Sequence, residues 1–324
     1  MAHEIEVVNG KAKMAFIGKV PWHAGETNPT ELTEAEQYDW PTVCTKAGLD
    51  TEVEKVPLVT SDTQAKVDHF AIRRVQDGKI LGTVGARYHP LQNRDAFKWF
   101  APWLEAKEVA LNTAGSLRGG ARIWVLAKLN RNPLEIVPGD LVEKYLLLSH
   151  GHDGSLAVRA GFTPIRVVCA NTLAAAHGAD ASSLIRIKHS KSVLENLEAV
   201  RETISLANAR FEATGEQYRR LARKSINRAD VRAYVYRVLD ITEESKASTR
   251  IKNIAQSMID LAETGRGNDL PGVRGTLWAS FNGITEFLAY RRGNNQQNRL
   301  DSLWFGDSST LNKKALDVAL EMAV

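Results

Sequence analysis

Two histidines and an aspartate stand together in the one stretch of this chain whose residue types suggest chemistry. In residues 144–173, KYLLLSHGHDGSLAVRAGFTPIRVVCANTL, His150 and His152 alternate and Asp153 follows directly. Alternating residues on a strand share a face, so two imidazoles and a nearby carboxylate suit a divalent cation and, through it, hydrolytic chemistry on a nucleic acid. The competing reading is structural. Asp153-Gly154 is a turn pair, and the histidines stand at the end of the strand that enters it. No HExxH, CxxC or two-carboxylate nuclease motif accompanies them, so the sequence assigns no catalytic residue and no metal. Cys169 falls at an expected strand–helix junction, where a thiol pKa can drop, although a buried structural thiol is the simpler account. Neither GxxxxGK[ST] nor GxGxxG occurs, and no cofactor is expected.

The cations are spread for binding rather than for catalysis. Arg118 and Arg122 flank Gly119-Gly120, Arg159 and Arg166 bracket 161–164, and Arg186, Lys188, His189 and Lys191 form the cluster RIKHSK. A strand-borne groove lined by Arg118, Arg122, Arg159, Arg166, Arg186, Lys188 and Lys191 would track the phosphates of single-stranded DNA. Tyr88, Trp124 and Phe162 are then available to stack on bases, and Trp124 also reads as core. Arg219, Arg220, Arg223 and Lys224 close an expected long helix, where they complement its dipole.

The whole-chain charge agrees. The 324 residues carry a net charge of +4, but residues 1–60 hold 5 Lys and Arg against 10 Asp and Glu, leaving +9 on the remainder. An acidic beginning and a basic body suit a polyanion partner. No apolar run approaches the roughly 20 residues of a membrane span, and the N-terminus shows no export signal. With Cys44 and Cys169 far apart, the expectation is a reduced protein of the cytoplasm.

These residues need elements to hold them. Residues 1–60 read as an extended arm with helical pieces near 31–38 and 41–48. Residues 68–75 and 79–88 flank Asp77-Gly78 as a hairpin. Asn93 would cap a helix over 94–105, and 121–129 reads as a strand. A second hairpin spans 140–149 and 155–160, and 165–169 leads into a helix over 171–177. Apolar residues at 193, 197, 200, 204, 207, 211, 214, 218 and 221 step by four and three, a heptad seam on a helix over about 192–224. That seam either packs on its own domain or joins subunits. Helices over 228–239, 243–264 and 274–291 follow, separated by polar loops at 265–272 and 291–299. The expected class is α+β: a twisted antiparallel sheet of β-β-β-α character, then a mainly helical region with one long helix. The expected domains are an arm (1–60), an α+β core (61–190) and a helical region (191–324).

Several segments together resemble the phage/plasmid-like protein family, a domain-of-unknown-function group carried by temperate phages and mobile plasmids. They are Pro21-Trp22-His23, GARYHPLQNRDAF (85–97), GGARIWVLAKL (119–129), YLLLSHGHDGS (145–155), TPIRVVCANTL (163–173), TLWASFNGITEFLAYRR (276–292) and Trp304-Phe305-Gly306. The resemblance implies a bacterial host cytoplasm and a role in mobile-element biology. In pattern alone, the β-β-β-α arrangement with basic residues and a helical appendage is similar to single-strand annealing recombinases. That similarity implies a ring or filament of identical subunits holding single-stranded DNA, with no catalytic residues. The alternatives are a metal-dependent nucleic-acid enzyme using His150, His152 and Asp153, and a phage or plasmid protein that binds a host protein.

Overall fold

The structure is a computed structural model that describes residues 5–21, 24, 27–97, 100–129, 132–168, 171–172, 184–189, 211–293 and 299–324. The class is α+β, with antiparallel sheets followed by a helical C-terminal region. Two compact units share the chain by turns. One comprises Met1–Arg131, Tyr145–Phe162 and Ala181–Leu206, the other Asn132–Lys144, Thr163–Asp180 and Ala207–Val324.

The strands run in chain order as β1 (Val7–Val8), β2 (Lys11–Ala12), β3 (Met14–Phe16), β4 (Thr30–Glu31), β5 (Val53–Val59), β6 (Lys66–Arg74), β7 (Ile80–Val84), β8 (Val109–Leu117) and β9 (Arg122–Leu129). They continue as β10 (Leu134–Val137), β11 (Asp140–Gly151), β12 (Val158–Arg166), β13 (Asn171–Thr172) and β14 (Leu184–Ile187). In the first unit the main sheet has the order β4-β3-β8-β9-β11-β12, with β14 on β12. Residues 123–127 of β9 are all buried, as expected of a strand covered on both faces. The sheet is packed by α1 (Trp40–Lys46), α2 (Asn93–Ala96) and α3 (Ala101–Glu105), which bring Trp40, Val43, Phe97, Phe100 and Leu104 onto Leu111, Val125, Leu146 and Leu148.

Residues 1–60 therefore do more than form an arm. β3 joins the main sheet through pairs such as Ala15↔Ala114, and β5 pairs along β6. The Asp77-Gly78 turn forms as read, with Gly78 at φ 72°, and its hairpin gains β5 as a third strand. The single helix expected over 94–105 is two short ones. Pro102 sits in the first turn of α3, the place a helix tolerates a residue with no N–H, so it starts a new helix. Asn93 is not the cap; that position is Gln92, because the Asn93 side chain is engaged elsewhere (below).

The second unit opens with the β10–β11 hairpin, in which Leu134 pairs with Val142. Asn171-Thr172 is not a helix start. It forms β13, paired back on the end of β12 through Ile165↔Thr172; the remainder of the expected 171–177 helix lies outside the described residues. Of the expected 192–224 helix, 211–223 is described and helical (α4). Its seam residues Phe211, Thr214, Tyr218 and Leu221 are buried. Tyr218 lies 4.9 Å from the Trp278 ring, and a Cβ on Gly215 would meet Leu134, so this part of the seam packs within its own unit. The seam over 193–207 lies outside the described residues.

Further helices follow as α5 (Arg228–Val238), α6 (Thr249–Thr264), α7 (Leu277–Glu286), α8 (Arg299–Phe305) and α9 (Asp307–Met322). Asn227 and Asp230 form a reciprocal capping box on α5, and Ser248 caps α6. All ten residues of α7 are buried, and it runs on into a π-helical turn, Phe287–Arg291. The polar segment expected at 291–299 lies partly outside the described residues, and two helices the sequence pattern missed, α8 and α9, follow it.

One ion pair organises the second unit. Arg166, at the end of β12, and Asp140, at the start of β11, are both fully buried. Arg166 Nε donates to Asp140 Oδ1 at 2.7 Å and Nη2 to Oδ2 at 2.5 Å. Trp278 Nε1 of α7 donates to the same carboxylate at 2.8 Å, and Arg166 Nη1 and Nη2 reach the carbonyls of Arg266 and Gly267. The 265–272 loop, which reads as flexible, is held there, and its Asn268 is buried, donating to the carbonyls of Leu261 and Ala262. Arg166→Met should destabilise the protein by about 3–5 kcal/mol, because it strands a buried carboxylate. Asp140→Leu combined with Arg166→Met should cost less than Arg166→Met alone. Urea unfolding of the wild type and both variants measures this, and a mild effect of the single change would contradict the arrangement.

Candidate functional site

The turn at 152–155 belongs to the first unit and is built by its own side chains. Asp153 Oδ1 accepts from the Ser155 amide at 2.9 Å and from Ser155 Oγ at 2.6 Å, the local bonding that lets Asp nucleate turns. Arg122 closes the other side: Nε donates to Asp153 Oδ2 at 3.4 Å and Nη2 to Ser155 Oγ at 2.9 Å. The turn lies against β7 so closely that a Cβ on Gly82 would stand 2.4 Å from Asp153 Cα. Asp153 is therefore a turn residue tied to Arg122 and Ser155.

Behind the turn lies a cluster the sequence only half showed. His150 and His152 are joined by His189, and all three are buried. Ring centroids are 4.7 Å apart for His150 and His152 and 6.0 Å for His150 and His189, while Tyr88 stacks on His189 at 4.8 Å. Tyr88 is itself committed, its hydroxyl donating to the Gly151 carbonyl at 2.9 Å. His152 Nε2 meets Asn93 Oδ1 at 2.8 Å, and Asn93 Nδ2 donates to Thr51 Oγ1 at 3.4 Å. This chain turns the amide oxygen towards His152, places the proton on Nε2, and leaves a lone pair on Nδ1. Among the described residues, neither ring nitrogen of His150 or His189, nor His152 Nδ1, has a hydrogen-bond partner.

Such burial keeps the rings neutral. Desolvation, reinforced by the neighbouring His152 and His189, drives His150 well below the ordinary histidine range. His152 is pushed down to about 3, by burial first and then by His189. His189 falls to about 4, also by burial, although the nearby carbonyls of His89 and Leu156 oppose the shift. Groups titrating this low are poor acid–base catalysts near pH 7. Among the described residues no group of three His, Cys, Asp or Glu is arranged to hold a metal ion. Cys44, buried among apolar side chains, is likewise unreactive, its thiol pushed up to about 12 chiefly by desolvation.

Among the described residues, the cations expected to form one groove stand in different surroundings. Arg166 is a correction: it is the buried partner of Asp140 in the second unit and cannot meet a phosphate. Arg122 is engaged in the turn, its side chain only 12% exposed. Arg118 is exposed on the 118–120 turn after β8, and Lys188 is exposed just after β14. Arg159 and Arg186 meet as direct partners across the antiparallel β12–β14 pair. Arg159 lies on the strand face opposite Val158 and Ala160, which are core. Lys191 lies outside the described residues, as do Cys169 and Trp22-His23. The aromatic residues are not an open stacking platform: Trp124 is fully buried and Phe162 packs on the core.

A family model described as Domain of unknown function (DUF932) matches residues 80–304. The chain belongs to the DUF932 family. The motif resemblance thus holds at the level of an uncharacterised family, and the similarity to annealing recombinases gains no support from the comparisons. No curated protein and no solved structure matches the chain. The DUF932 segment contains all three clustered histidines and all seven cations named above, so the family match does not choose between them. No described helix is long and apolar enough to cross a membrane.

The histidine cluster sets an acid limit on stability. Each ring has a folded pKa below its unfolded value near 6.5, so the unfolded state binds more protons once the pH falls below 6.5, and stability is lost on acidification. From pH 6.5 to 5, above the carboxylate range, each histidine should remove up to about 1.4 kcal/mol per pH unit. Melting temperature should therefore fall across this window, and His189→Phe, which keeps a ring against Tyr88, should flatten the fall by about a third. A melting temperature constant from pH 7 to 5 would contradict the buried neutral cluster.

Proposed function

We propose that this protein binds single-stranded nucleic acid through its phosphate backbone, using the β12–β14 edge of the first unit. The observation that carries this reading is the register of Arg159 opposite Arg186. That register sets two arginine positions side by side on neighbouring strands, a spacing of basic residues that suits the repeated phosphates of a strand. Exposed Lys188, two positions beyond Arg186, extends the track, and the basic balance of residues 61–324 favours the same partner. Arg118 is a further exposed cation of this unit. Arg122 and Arg166 are not part of the proposed contact set, and with Trp124 buried the reading relies on charge more than on stacking.

Assembly into a ring or filament that holds single strands for pairing is the fuller form of this proposal. It draws on the mobile-element character of the sequence motifs. A metal-dependent enzyme centred on His150, His152 and Asp153 has less support, because Asp153 is bound to Arg122 and Ser155. A host-protein partner is the outcome favoured if a pull-down recovers a stoichiometric protein without nucleic acid.

Fluorescence anisotropy with a single-stranded oligonucleotide tests the proposal. Affinity should fall steeply with salt, and the slope of log K against log salt should shrink by about 0.7 for each phosphate contact removed. Arg159→Gln with Lys188→Gln should therefore lower the slope by about 1.4 and weaken binding uniformly across sequences. Undetectable binding at low ionic strength, or binding indifferent to these changes, would overturn it. Negative-stain imaging with and without the oligonucleotide tests assembly, and a monomer in both would dispose of the ring or filament.

A further inference from the structure

The helical unit contains a cavity of about 840 Å³, within the roughly 300–1,000 Å³ typical of small-molecule clefts. Three arginines line it: Arg250 in the first turn of α6, Arg291 at the end of the π-helical turn, and Arg292 directly after. Its apolar wall includes Ile254, Met258 and Phe287. No carboxylate is among the lining residues, and among the described residues none of the three guanidinium groups has an ion-pair partner within 4 Å.

Helix electrostatics does not explain these charges. A cation in the first turn of a helix opposes the dipole, yet α6 has no acidic residue there and carries Arg250. Arg292 is half-buried, and its Nη1 is buried with no hydrogen-bond partner among the described residues. Burial lowers its pKa; attraction from Asp307, beyond ion-pair distance, opposes that shift, and a weaker repulsion from Arg250 adds to it. A half-buried guanidinium that keeps a buried Nη1 without a partner is costly to the free protein. The π-helical turn adds a separate indication, because such turns are rare and recur at functional sites.

We infer that this cavity binds a phosphate monoester with an apolar or aromatic body, the size of a nucleotide. Guanidinium forks match phosphate oxygens geometrically, and three of them call for a ligand carrying more than one negative charge. The apolar wall would receive the organic body. The phosphate could come from a free nucleotide or from the 5′ end of a strand. The cavity is confined to the second unit, so the inference does not rest on the nucleic-acid face proposed for the first.

Calorimetric titration of the full-length protein tests it, with adenosine 5′-monophosphate, adenosine, and 5′-phosphorylated and 5′-hydroxyl forms of one short oligonucleotide as probes. The expected result is saturable binding of a 5′-phosphorylated probe, at least tenfold tighter than its unphosphorylated counterpart. Binding of the monophosphate would identify a free nucleotide, and binding of the phosphorylated oligonucleotide alone would identify a strand end. Arg292→Gln should weaken binding at least tenfold, while Arg274→Gln, an exposed arginine outside the cavity lining, should leave it unchanged. If Arg292→Gln fails to fold, Arg250→Gln, at an exposed position, serves in its place. Absence of binding by every phosphorylated probe, equal binding of adenosine and its monophosphate, or binding unaffected by the arginine changes would overturn the inference.

Discussion

The fully buried Asp140–Arg166 pair is the interaction on which the helical unit depends. It draws together the start of β11, the end of β12, the 265–272 loop and α7, four segments separated by long stretches of chain. Taking both charges out of water is expensive, and the geometry meets that cost only because the bonding is nearly complete: Nε and Nη2 on the carboxylate, Nη1 and Nη2 on backbone carbonyls, and the Trp278 indole on the remaining oxygen lobe. An arrangement that is favourable only when every member is present tolerates few alternatives. It therefore fixes how this loop and helix meet the strands more sharply than apolar packing would.

The first unit makes a different use of buried polarity. Its three histidines are held neutral, and among the described residues most of their ring nitrogens lack a hydrogen bond. A buried polar atom left without a partner costs about 1–3 kcal/mol. That cost is balanced by a large apolar core in which Phe97, Leu146 and Leu148 are almost wholly enclosed. The two units thus show opposite treatments of burial: a pair kept charged by complete bonding, and a cluster kept neutral by desolvation.

Local pattern carried much of the fold into view and little of the site. The Asp-Gly turn at 77–78, the hairpin into His150 and the helices over 228–238 and 249–264 follow from turn chemistry and apolar period, which act over a few residues. The break at Pro102 was also legible, but the apolar spacing of Phe97, Phe100 and Leu104 overrode it. What failed was long-range. Arg159 and Arg166 look alike in sequence, and only the distant Asp140 and Trp278 make one of them a core residue. His189 sits in a basic run and gives no local sign that it packs on His150. The pairing of Arg159 with Arg186 depends on strand register, which no periodicity specifies, and α8 and α9 were hidden behind a polar stretch that reads as a terminal loop.

The chain passes repeatedly between its units, and the bounds of its folding do not coincide with those of the family match. The family match starts at the first residue of β7, leaving its hydrogen-bonded partner β6 outside, and stops within α8, before α9. Tyr234 of α5 nonetheless donates its hydroxyl to the carbonyl of Ala315 in α9, and β3, also outside the match, pairs with β8. Strands β11 and β12 each give residues to both units. No single cut of the polypeptide separates the two units, and trimming the chain to the bounds of the family match would leave β7 without β6 and α5 without α9.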